Sequence, residues 1–79
     1  MKKISLTPRA IVGYMANKTG LGNFEISRRL GKAPTFLNGY TNRGSLPSAS
    51  MLASIAEVCG YEVHIIGHGE DITVEVADD

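Results

Sequence analysis

The stretch NFEISRRLGKAPTFLNGYTNRG, Asn23 to Gly44, decides how this chain is organised. Ile26 and Leu30, four apart, give one helical face; Gly31 breaks the run; Leu37 and Tyr40, three apart, give a second face. The pattern predicts two short helices joined by a tight turn. Gly31 suits the turn, because leaving the first helix calls for a positive φ that costs glycine almost nothing. Pro34 suits the opening of the next helix: its ring presets φ, and the amide hydrogen it lacks would have no partner at a helix start. Ala33, just before it, is a poor N-cap.

Upstream, Thr7 reads as an N-cap with Pro8 at the first helical position. The helix they open should run to about Lys18, with Thr19, Gly20 and Gly22 stopping it. Ile11, Tyr14 and Met15 share one face of it and are expected in the core. Downstream of the polar loop NRGSLP, Pro47 and Ser48 start a further helix in which Met51, Leu52, Ile55, Ala56 and Cys59 recur at helical spacing, and Gly60 ends it. Cys59 on that apolar face reads as a buried, inert thiol rather than a nucleophile. From Tyr61 the period becomes alternating: Tyr61, Val63 and Ile65, a GHGED turn, then Ile72, Val74 and Val76, which predicts a β-hairpin over 61–77.

Two helices and a tight turn of this kind resemble the helix-turn-helix of the Cro and repressor family, also called XRE. The resemblance runs in outline from Thr7 to Val63 and includes the loop NRGSLP and the closing helix SASMLASIAEVCGYEV, with its Pro-Ser start and LxxIAExxGY body. Three residues depart from the family's pattern: Ser27 stands where alanine is favoured, Lys32 where an apolar residue plugs the turn, and Gly39 interrupts the recognition helix. The expected fold is mainly α: a single helix-turn-helix domain over 1–79, with a helical body of about four helices over 7–60 and a C-terminal β-hairpin.

Charge placement fits a double-stranded DNA partner better than the net charge of zero suggests. All eight Lys and Arg fall in the first 43 residues, against the single acid Glu25, whereas residues 44 to 79 hold seven acids and no Lys or Arg. Such a molecule approaches phosphate basic end first. The simpler reading of the same pattern is surface solvation.

Within the presumed recognition helix, base contacts are expected from Thr35, Phe36, Asn38 and Gly39. Thr35 can touch a thymine methyl, Asn38 can pair bidentately with adenine, and Phe36 packs either in the core or against thymine. Gly39 lets the helix approach the groove closely. Phosphate contacts are expected from Asn23 with the backbone amides beside it, from Arg28 at the solvent face, from Lys32 in the turn, and from Asn42 and Arg43, where the resemblance places them. Arg29 is open to the same two fates as Arg28, solvent or phosphate.

The hairpin face Tyr61, Val63, Ile65, Ile72, Val74 and Val76 either covers its own core or joins two copies; dimerisation through it would set recognition helices one DNA turn, ~34 Å, apart. A homodimeric repressor on a palindromic operator is the expected function. An antitoxin that also docks a cognate toxin, and a protein-interaction module without DNA binding, are the alternatives. No cofactor or metal is expected, since His64 and His68 with a distant Cys59 lack zinc spacing. No catalytic motif frames the serines, histidines and acids, so an enzyme is not expected. A single cysteine and the lack of a membrane-length apolar run suggest a cytoplasmic protein.

Overall fold

The computed structural model describes residues 2–76. The expected end of the hairpin at residue 77 and the acids Asp78 and Asp79 lie outside the described residues. Four helices, α1 (Pro8–Thr19), α2 (Asn23–Arg29), α3 (Asn38–Thr41) and α4 (Ala49–Val58), precede an antiparallel hairpin of β1 (His64–Gly67) and β2 (Glu70–Thr73). The molecule is mainly α with a small β-hairpin.

The helix boundaries follow from local chemistry. Thr7 accepts a hydrogen bond from the Ala10 amide at 3.3 Å and Ser48 one from the Met51 amide at 3.1 Å, so each supplies a partner to an amide that α1 or α4 leaves open. At the other ends α2 and α4 finish alike. Gly31 and Gly60 take φ values of +74° and +82°. The amide of Lys32 then reaches the Ser27 carbonyl at 3.0 Å, and that of Tyr61 reaches the Ala56 carbonyl at 2.8 Å. These six-residue closures are Schellman motifs, and the left-handed residue each needs is why glycine stands there.

The core collects Val12, Met15 and Ala16 of α1, Ile26 of α2, Leu37, and Ile55, Ala56 and Cys59 of α4. Ile26, Leu37 and Ile55 are fully buried, each contributing about 1.5–3 kcal/mol of transfer free energy relative to exposure. Of the three residues expected in the core, Met15 is buried, Ile11 packs at its edge and Tyr14 is half-buried outside it, while Val12 and Ala16 are the other deep α1 positions. The buried stripe of α1 is thus turned by about one residue from the expected face. Burial raises the Cys59 thiol pKa above its ordinary value, which keeps it protonated.

The expected helix from Pro34 is largely not regular. Pro34 to Leu37 form successive three-residue turns, with Phe36 bonded to the Ala33 carbonyl at 2.9 Å and Asn38 to Thr35 at 3.1 Å, and only Asn38–Thr41 is α-helical. Three causes combine. Ala33 offers no capping side chain, Gly39 costs about 1 kcal/mol against alanine inside a helix, and the Leu37 amide is drawn elsewhere. It donates to the Ser27 hydroxyl at 3.0 Å, while that hydroxyl donates to the Asn23 carbonyl at 2.7 Å. Ser27 is wholly buried, so α2 and the turn before α3 are tied through one oxygen.

The hairpin turns through His68 and Gly69, both at positive φ (49° and 73°), the conformation whose twist matches that of the flanking strands. Its strands are shorter than expected: Ile65 faces Ile72 and His64 faces Thr73, and beyond these one more bond joins the Val74 amide to the Val63 carbonyl at 2.8 Å. Tyr61 and Val76 lie outside the ladder. Val63 packs against the helical core, but the tip stands clear, with Ile65 61%, Ile66 76% and Ile72 51% exposed.

Replacing Ser27 by alanine gains up to about 0.5 kcal/mol of helix propensity. It also strands the buried Leu37 amide, which costs about 1–3 kcal/mol. The loss wins, and Ser27→Ala is expected to lower unfolding free energy by about 1–2 kcal/mol in chemical denaturation.

On the opposite hairpin face the His64 ring lies between two carboxylates, Nδ1 at 2.6 Å from Asp71 and Nε2 at 3.0 Å from Glu62, and these raise its pKa above 6.5. The stabilisation is complete below the ordinary histidine value and is lost as pH rises through the higher folded one. Thermal midpoints measured from pH 5.5 to 8.5 are expected to fall more steeply for the native chain than for His64→Gln.

Candidate nucleic-acid interface

The segment from Asn23 to Gly44 presents its polar residues around a small set of fixed contacts. Asn23, at the start of α2, reaches across to α3 and donates both of its amide hydrogens, to Asn38 Oδ1 and to Thr41 Oγ1, each at 2.9 Å. This corrects one expectation. The Asn23 side chain is half-buried and has no donor left for a phosphate, so only the backbone amides at the uncapped start of α2 remain for that role. Asn23 also orients Asn38, whose Oδ1 keeps a second lone pair and whose Nδ2 stays available for a base edge.

Thr35 is exposed on the turn before α3. Phe36 is half-buried: its ring meets Tyr40 edge-on at 5.5 Å between centroids, and the Lys32 ammonium sits 5.6 Å from its centre. It therefore packs and shows an apolar edge at once. Gly39 is half-buried, and a Cβ there would touch only the Arg43 guanidinium, at 3.4 Å. Asn42 is exposed, and together with Asn23 and Thr41 it lines one open groove against α1.

The basic side chains divide into two groups. Arg28, expected at solvent or phosphate, is exposed and at the same time gripped by Glu25, with Nε at 3.0 Å from Oε1 and Nη2 at 2.6 Å from Oε2. Arg29 donates to the same carboxylate at 2.8 Å. Their positions three and four residues after Glu25 put all three on one helical face, a spacing legible in the sequence. A phosphate approaching Arg28 must compete with that carboxylate. Among the described residues Lys2, Lys3, Arg9, Lys18, Lys32 and Arg43 make no ion pair. The uncompensated positive charge thus lies on the turn at Lys32, on Arg43 after α3, and on α1 with its leading segment.

Two structural features escaped the sequence reading. Ser27, which in sequence reads only as a departure from a favoured alanine, is a buried hub. Arg9 crosses from α1 to the loop after α3, where Nη1 donates to the Gly44 carbonyl at 2.8 Å over a separation of 35 residues. The left-handed φ of Gly44, +74°, was readable as a turn signal; its partner was not.

Among the described residues, no group of three or more His, Cys, Asp or Glu is placed to hold a metal, and no helix is long and apolar enough to cross a membrane. The chain matches no protein-family model, no curated protein and no solved structure.

Hydrogen bonds from Arg28 first and Arg29 second lower the Glu25 pKa from 4.5 to about 2. Depressed in the folded state, this carboxylate stabilises the fold above its unfolded value, and the contribution is lost as pH falls toward about 2. Carboxyl-carbon NMR is expected to follow a Glu25 titration near about 2. Arg28→Ala should move that midpoint toward 4.5 by more than Arg29→Ala does.

Proposed function

We propose that this chain is a sequence-specific double-stranded DNA-binding regulator of Cro and repressor type, acting by binding rather than catalysis, as a homodimer on a palindromic operator. The observation that carries the reading is the charge division on a tied pair of helices. Ser27 and Asn23 lock α2 to the α3 segment, Lys32 and Arg43 flank that segment with no carboxylate partner among the described residues, and the acids other than Glu25 lie at the far end of the sequence. Phosphate contacts then fall to Lys32, Asn42, Arg43 and the α2 amides, and base reading to Thr35, the free edge of Phe36, and Asn38. Gly39 keeps the helix surface low between them.

The hairpin supports the dimer. Its exposed Ile65 and Ile72 lie opposite each other on one face, whose charged residue is Glu70 at the turn, whereas the reverse face carries Glu62, His64, Asp71 and Glu75 beside Ile66. Joining two copies through the first face covers Ile65 and Ile72 and keeps the acids of the reverse face apart. Repression follows as occlusion of a promoter that contains the site.

An unbiased selection of bound duplexes from a random library at ~0.1 M salt, where surface charges beyond ~10 Å are screened, is expected to enrich a palindrome with half-sites one turn apart. Ile72→Asp, at an exposed position, should leave the helical body folded, give a monomer by sedimentation, and abolish that enrichment. A folded, dimeric native chain that enriches no sequence would overturn the regulator reading in favour of a protein-interaction module.

A further inference from the structure

The α1 contact to the loop after α3 is more than a strap. We propose that Arg9 and Arg43 form a two-guanidinium clamp for the DNA phosphodiester backbone, with the Gly39–Gly44 loop as its frame; this rests on the DNA-binding reading above.

Arg9 sits in the first turn of α1, where a long cation gains nothing from the helix dipole, whose positive end lies there. Its guanidinium nevertheless reaches the Gly44 carbonyl, to which Nη1 donates at 2.8 Å. Gly44 makes that contact possible twice over: it takes φ of +74°, and a Cβ at this position would collide with Arg9 Nη1. One backbone carbonyl satisfies one of the five donors of a guanidinium and none of its charge. The remaining donors have no carboxylate partner among the described residues, in contrast to Arg28 and Arg29, which Glu25 neutralises.

Arg43 reaches the same frame from the loop itself. Its Nη2 lies against Gly39, and the loop between is closed by the Ser45 amide bonded to the Gly39 carbonyl at 3.0 Å. Two permanently charged, planar donor groups therefore border one closed loop next to Asn42. A guanidinium fits an anionic oxygen pair bidentately, and a backbone phosphate is the anion class that DNA brings to this surface. Arg9 would then bring α1 into the interface, outside the helices that read bases.

The test measures duplex affinity from ~0.05 to ~0.3 M salt for the native chain and for Arg9→Gln, Arg9→Lys and Arg43→Ala. Glutamine removes the charge and, two bonds shorter, also gives up the Gly44 carbonyl, so the thermal midpoint reads the lost strap while the salt slope of the still-folded chain reads the lost phosphate ligand. Arg9→Gln is expected to lower the log–log salt slope by about 1 per bound protomer, as is Arg43→Ala. Arg9→Lys should keep the slope and bind more weakly, through loss of the planar fork. An Arg9→Gln slope equal to the native one, with DNA still bound, would overturn the clamp and leave the regulator reading intact. A native chain that binds no duplex at ~0.05 M salt would overturn both.

Discussion

One hydroxyl governs the centre of this molecule. Ser27 lies where no water reaches, gives its proton to the Asn23 carbonyl and takes that of the Leu37 amide. A buried polar group is tolerable only when both of its capacities are used, and here they are used to fix the same two pieces of chain. The amide in question is free because Pro34 and Ala33 start the next segment as a tight turn, whose carbonyl at Ala33 is already taken by Phe36. With Leu37 pinned, Tyr40 falls against the core and Asn38 falls within reach of Asn23. The register of every residue from Thr35 to Arg43 follows from that contact.

Position 27 also shows what a hydroxyl adds on a packed helix face. Alanine on this face of a helix packs against a regular neighbouring helix, which supplies its own amide partners. Here the neighbouring segment opens irregularly and lacks an intrahelical acceptor at Leu37, so a small side chain with an oxygen serves better than a methyl. Lys32 is comparable. Exposed in the turn, it holds its ammonium 5.6 Å from the centre of the Phe36 ring, a cation–π approach that leaves the charge in water.

What was legible in the sequence was whatever is decided by near neighbours along the chain. Thr7 with Pro8, Ser48, Gly31 and Gly60 announce their caps by residue type alone, and the change from helical to alternating period at Tyr61 marks the hairpin. The Glu25 clamp on Arg28 and Arg29 was equally local, a pairing at three- and four-residue spacing on one exposed helical face. The remaining features depend on pairings across long stretches: Asn23 with Asn38 and Thr41, Ser27 with Leu37, and Arg9 with Gly44. No propensity encodes those partners, because each is chosen by the packing of helices whose relative placement the sequence does not state. The α1 stripe shows the same limit, since periodicity offers Ile11 and Val12 alike and the packed structure buries Val12 and Ala16 more deeply than Ile11 and Tyr14.

The position of the hairpin in the chain bears on how the molecule is made. Synthesis proceeds from the N-terminus, and every residue of the buried core lies at or before Cys59. The helical body is therefore synthesised before the strands, and what the strands then add is exposed isoleucine rather than core. Apolar side chains on a short, open-edged hairpin are the surface through which a chain is most open to misassembly, and here they come last.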